Sequence, residues 1–173
     1  MKFLKLFSDV IIFINTLMGK LVSYVIFILV ILTVLEVCLR RIFNSPTIWS
    51  FEISLQLFGL NFMIAAAFTL LRDGHVSVDI LHSKLNEKSR AYLDILCYFI
   101  FFFPFTIGVL IKGYEYAKIS WMTNETSWSV FAAPLYPIKT VIPLSFLLLI
   151  LQGITIIIDR ILLIRKLNGD HHD

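Results

Sequence analysis

Four apolar blocks, each long enough to cross a bilayer and each closed by charge or a polar turn, dominate this chain; they lie at about residues 21–39, 53–71, 91–111 and 141–158. At 1.5 Å of rise per residue, a helical block such as 21–39 reaches roughly 28 Å, close to the ~30 Å hydrocarbon thickness. In lipid every backbone N–H and C=O has to find its partner inside the segment, so blocks of this length read as helices. The fold class that follows is an all-α integral membrane protein of four transmembrane helices with amphipathic interfacial helices, forming one membrane domain over residues 1–173.

Composition supports this. Of the 173 residues 58% are hydrophobic and 16% charged, and the mean hydropathy is +0.86. A soluble domain of that length cannot hide so much apolar surface, so the excess faces membrane lipid. The net charge is +3, but the basic residues stand at block ends and form no stripe with interleaved aromatics, which excludes nucleic acid as a partner. Cys38 and Cys97 both fall inside apolar blocks and read as buried free thiols. The first block starts too far in and runs too long for a cleaved signal peptide, with no small-residue cleavage site after it, so a retained span is expected.

Between the blocks the chain is polar but patterned. Residues 1–16 place Phe3, Leu4, Phe7, Val10, Ile11 and Ile14 at helical spacing, which fits either a helix on the membrane surface or an extension of the first span. Ser50 is the expected N-cap of the second span, with Trp49 at the interface. Residues 76–90 repeat Val78, Leu81 and Leu85 at intervals of three and four, the pattern of an interfacial amphipathic helix. Pro104 predicts a kink in the third span. Residues 114–136 mix Tyr114, Tyr116, Trp121, Trp128 and Tyr136 with polar residues, a headgroup-level composition that predicts short interfacial pieces. With a cytoplasmic N-terminus about ten basic residues fall inside, Lys20 among them as the boundary of span one, and about five outside. That count predicts both termini on the cytoplasmic side.

Candidate chemistry is sparse. The central thirds of the four blocks contain no Asp, Glu, Lys, Arg or His. Glu36 comes nearest, and Arg40 four residues on supplies a helical ion-pair partner. Asn61 and Gln152 lie deeper; an amide in hydrocarbon has to be hydrogen-bonded, and interhelical bonds worth about 1 kcal/mol are the usual solution. His75, Asp79 and His82 would share one face of a continuous helix, a spacing that suits a metal. Gly74 argues instead for a turn before them and Asp79 for an N-cap, which would orient the three groups differently. No phosphate-binding loop, no intramembrane His and no G-x-S-x-G or H-E-x-x-H stretch occurs, so nothing in the sequence points to an enzyme or a haem carrier. Secondary transporters place their sites at broken helices related by internal repeats; here the halves do not match, so the chain reads as a component that supports transport while another chain binds the solute.

Three stretches carry a family resemblance. Arg40-Arg41-Ile42-Phe43, followed after a Ser-containing turn by Trp49-Ser50-Phe51-Glu52, resembles the signature of the small four-span permease subunits (Q subunits) of tripartite ATP-independent periplasmic (TRAP) transporters. His75-Val76-Ser77-Val78-Asp79 is similar to that family's His-x-x-Val-Asp motif, and residues 134–143 with Gln152 beyond them are similar to its last helix. One departure is Gly59-Leu60-Asn61, where the family often carries a Trp.

The resemblance implies a non-catalytic scaffold in the bacterial inner membrane. Its partners would be a large elevator-type membrane subunit and a periplasmic substrate-binding protein, its solute an organic acid of the sialic acid or C4-dicarboxylate class. No cofactor is implied for this chain, because sodium coupling belongs to the large subunit. Arg40, Trp49, Glu52, His75 and Asp79 match the family pattern and, with Arg41, Asn61 and Gln152, are candidates for structural or subunit-interface roles. Each also has a local reading: Trp49 as belt anchor, Glu52 as a first-turn charge on the helix dipole, Arg40 as a topology determinant. The alternative is a self-contained channel or exporter built by homo-oligomerisation, which would need a polar ring near mid-membrane.

Overall fold

The computed structural model describes residues 2–72 and 86–169. The described chain forms α1 (Lys2–Arg41), α2 (Ser50–Leu71), α3 (Glu87–Cys97), a π-helical turn (Tyr98–Phe102), α4 (Phe103–Met122) and α5 (Tyr136–Gly169). Four helical rods long and apolar enough to cross a membrane result, because α3, the π turn and α4 join into one rod over Glu87–Met122.

The rods are longer than the apolar blocks. α1 runs for 40 residues and takes in the opening amphipathic segment as part of one continuous helix. Its inward stripe, Ser8, Ile11, Asn15, Gly19 and Val22, is buried at intervals of three and four, so tertiary packing holds this end in line with the rest. The third rod continues through residues 114–122, where the sequence suggested an interfacial piece, and α5 starts at Tyr136 and ends well past residue 158. The cause is common to all: aromatic and charged residues at the rod ends still make intrahelical hydrogen bonds and pack on neighbours, so crossing into the headgroup zone does not end the helix. The interfacial segment at 76–90 falls mainly outside the described residues, as do His75, Asp79 and His82; residues 87–90 form the first turn of α3.

Pro104 acts through the turn before it. Proline lacks an N–H and its ring crowds the carbonyl four residues back. The backbone widens to a π turn over Tyr98–Phe102, closed by the Phe103 N–H donating to the Tyr98 carbonyl, and the α-helix resumes with the proline in its first turn. Thr106 then donates its hydroxyl to the Phe102 carbonyl at 2.7 Å. Ser50 is not the N-cap the sequence suggested: Trp49 precedes α2 and makes no side-chain cap bond, while Ser50 is packed inward as the first helical residue.

α5 is the hub. It packs against α1, α2, α3 and α4, whereas α1 has its main contacts with α2. The cluster Ala67, Leu70, Leu148 and Leu149 seals the α2–α5 seam, with Met18, Tyr98 and Phe102 against it. Small residues allow close approach at three crossings, the third being Gly113 of α4, where a Cβ would fall 2.9 Å from Ile142 of α5. A Cβ on Gly19 would fall 2.4 Å from the Phe68 ring, and one on Gly153 would fall 2.5 Å from Phe102 Cε1. Small side chains at crossings are how helices pack in lipid, where no hydrophobic difference drives them together.

Candidate functional site

The polar residues form three groups set by helix register. The deepest group joins α1 to α5. Asn15 and Gln152 are 1% and 2% exposed, and the Asn15 side-chain amide donates to Gln152 Oε1 at 2.7 Å. Thr155, one turn further along α5, donates its hydroxyl to the Gln152 carbonyl. Nearby, Asn61 donates from Nδ2 to the Val22 carbonyl at 2.8 Å, tying α2 to α1. Both sequence candidates in the bundle interior, Asn61 and Gln152, are therefore committed to other helices of the same chain. Asn15 was missed: it sits in the polar-flanked opening segment, and only the Ser8-Ile11-Asn15-Gly19-Val22 spacing signals an inward face.

A second group closes the end of the bundle that carries both connections, residues 42–49 and 123–135. Glu36, near the end of α1, pairs with Arg40 at 3.1 Å and accepts from the Thr47 hydroxyl in the returning connection. Arg40 and Arg41 are otherwise exposed. Glu52, in the first turn of α2, reaches the other connection: its Oε2 accepts from Ser127 Oγ at 2.7 Å and from the Ala133 N–H at 3.2 Å. Gln56, one turn below, donates to the Pro134 carbonyl. The connection is itself folded back, with the Ser127 N–H bonded to the Ala133 carbonyl, the Leu135 N–H to the Glu125 carbonyl, and Ala132 in a left-handed conformation at φ 51°. Lys139 of α5 donates to Glu125 at 2.5 Å and lies 3.9 Å from the centre of the Tyr116 ring. That hydrogen bond from Lys139 holds the Glu125 carboxyl below its ordinary range. Glu52 thus does more than complement a helix dipole; its partners lie 75 and 81 residues away and no local pattern announces them.

The third group lies toward the opposite end, where Arg160 of α5 meets Asp94 of α3 at 3.0 Å with the carboxylate largely buried. Sequence inspection passed over this pair because each residue sits near the edge of its block. Around all three groups the outer surface is apolar, with Phe13, Phe27, Phe51, Phe62, Phe101 and Phe105 exposed. A shallow groove of about 210 Å³ between α2 and α5, lined by Ile53, Leu60, Ile138 and Val141, has Gln56 as its polar lip. Among the described residues no cluster of three His, Cys, Asp or Glu is placed to hold a metal ion.

A bundle with an apolar outside and polar side chains spent on its own helix contacts defines a multi-pass membrane protein of four transmembrane helices. Residues 29–163, more than three quarters of the chain, match the family described as tripartite ATP-independent periplasmic transporters, DctQ component. The chain belongs to that family: it is a small permease component of a TRAP transporter, and not an enzyme. It is also 26% identical over 101 residues to a Vibrio cholerae serotype O1 (strain ATCC 39315 / El Tor Inaba N16961) protein named sialic acid TRAP transporter small permease protein SiaQ. That alignment covers 55% of this chain and 58% of the relative, so the chain spans somewhat more than half the length of the relative it matches.

Proposed function

We propose that this chain is a non-catalytic brace for the large membrane subunit of a TRAP transporter that takes up an organic acid of the sialic acid class. The solute is first captured by a periplasmic binding protein, then moved by the large subunit in an elevator-like motion coupled to sodium. Both termini of the small subunit lie on the cytoplasmic side of the bacterial inner membrane. The name of the Vibrio relative supports the solute class.

The observation that carries the bracing role is where the deep polar groups go. Asn15, Asn61 and Gln152 are the amides available to a solute inside the bundle, and each is engaged in a helix–helix hydrogen bond. For the same reason they offer no outward polar ring to a homo-oligomeric pore.

Reconstitution tests the reading. Liposomes holding this chain, the large subunit and the binding protein are expected to accumulate sialic acid under an inward sodium gradient. Liposomes lacking this chain should lose that uptake, and this chain alone should show none. Undiminished uptake by the large subunit without it, or solute flux through this chain alone, overturns the proposal.

A further inference from the structure

Lys20 stands at the middle of the bundle, on its outside, and meets no counter-charge among the described residues. The sequence reading sets it at the boundary of span one; the contacts of α1 give its level relative to the neighbouring helices. The 22 residues of α2 fit one bilayer, and their midpoint, Asn61, bonds to the Val22 carbonyl, two residues or about 3 Å along α1 from Lys20. From the other direction, the midpoint of α5 is Gln152, which bonds to Asn15, five residues before Lys20. Lys20 therefore lies between the mid-levels of two neighbouring helices. It also divides the 40 residues of α1 nearly in half.

Its side chain is exposed, and no carboxylate among the described residues pairs with it. Its neighbours one turn away on its own face, Leu17, Ser23 and Tyr24, carry no charge. A lysine stem of about 6 Å cannot bring an ammonium group from mid-depth to headgroups roughly 15 Å away, so snorkelling does not resolve the problem. An isolated cation at this depth is costly enough that such residues face protein or a watery cavity and find a partner.

The face that carries Lys20 is built like a helix seam. Phe13, Leu17, Lys20, Tyr24, Phe27 and Ile31 alternate spacings of four and three, and the four aromatic and β-branched members are 64–67% exposed. It lies opposite the stripe that packs on α2 and α5. A single charged residue in an apolar seam of this period fixes register and partner choice.

We infer that this face of α1 docks a transmembrane helix of the large subunit carrying an Asp or Glu at the level of Lys20, the two forming an intramembrane ion pair that sets the register of the complex. A second copy of this chain does not fit, because copies inserted with the same orientation and paired on this face would bring two Lys20 ammonium groups together. The inference rests on the proposed assembly with a large subunit and adds the face, the depth and the chemistry of contact.

Co-expression with the large subunit of the same transport system, followed by affinity capture of the complex in mild detergent, tests it. Lys20→Met removes a charge from lipid, so the variant should insert and fold at least as well as wild type when expressed alone. It is nevertheless expected to weaken capture of the large subunit on the order of tenfold or more, by leaving a carboxylate unpaired. Lys20→Glu should weaken capture further, Lys20→Arg should preserve it, and a basic replacement of the partner carboxylate should rescue Lys20→Glu. Wild-type levels of complex with both Lys20→Met and Lys20→Glu overturn the inference while leaving the assembly itself intact. Failure of the wild-type chain to capture any large subunit overturns both.

Discussion

Asn15 and Gln152, 137 residues apart in sequence, share a 2.7 Å hydrogen bond between α1 and α5 at a depth where neither side chain reaches solvent. The bond fixes the extended first half of α1 against the hub helix, and with it the face on which Lys20 stands. Replacing either partner by Leu strands the other amide in an apolar seam. Single variants Asn15→Leu and Gln152→Leu are each expected to lose about 1–2 kcal/mol, and the double variant less than the sum. Thermal unfolding of the detergent-solubilised protein across this double-mutant cycle measures the coupling; additive losses would mean the bond carries nothing.

Glu52 clamps the connection between α4 and α5 by accepting from Ser127 Oγ and the Ala133 N–H. Glu52→Gln keeps the shape but replaces a charged acceptor with a neutral one, which is expected to weaken the clamp. The signature is local: faster hydrogen exchange at Ala133 and earlier proteolytic cleavage within residues 123–135, with the unfolding midpoint of the bundle nearly unchanged. Unaltered exchange at Ala133 would show that Gln56 and the internal bonds hold the connection without Glu52.

Glu125 gives the same connection an acid limit. The hydrogen bond from Lys139 lowers its folded-state pKa below the ordinary 4.5, so the unfolded chain binds the proton more readily. Its stabilising contribution is therefore complete above about pH 4.5 and is lost as the pH falls through the lower folded value. Between about pH 7 and pH 3.5 the unfolding midpoint of wild type should fall more steeply than that of Glu125→Gln, which has no proton to gain. Parallel slopes for the two proteins would remove Glu125 from the acid response.

What could be read from the sequence followed from local and compositional physics. The four spans were legible because hydropathy reports the solvent directly, and the Glu36–Arg40 pair because spacing of four places both on one helix face. Rod lengths were not: residues 114–122 have the composition of an interface and the hydrogen bonding of a helix, and only packing on α5 decides between them. The clamp partners of Glu52 and the mate of Asn15 are separated by 75 to 137 residues, beyond the reach of any periodic pattern.

Gly153 tests whether close helix approach, more than side-chain chemistry, sets the third rod against the hub. Phe102 is the last residue of the π turn that Pro104 provokes, and a Cβ on Gly153 would fall 2.5 Å from its Cε1. Gly153→Ala has to displace that ring or separate the rods, an overpacking cost of about 1–3 kcal/mol that outweighs the gain of up to ~1 kcal/mol from better helix propensity. Gly108, on the same rod as Phe102, has nothing within 4 Å of its Cβ position, so Gly108→Ala should be neutral or slightly stabilising. If the ring is the obstacle, Phe102→Leu should rescue Gly153→Ala in part, because the smaller side chain vacates the position the new methyl needs. Thermal unfolding in detergent ranks the variants; equal effects of alanine at 153 and 108 would show that the rods adjust freely and that the glycine at 153 is incidental to their packing.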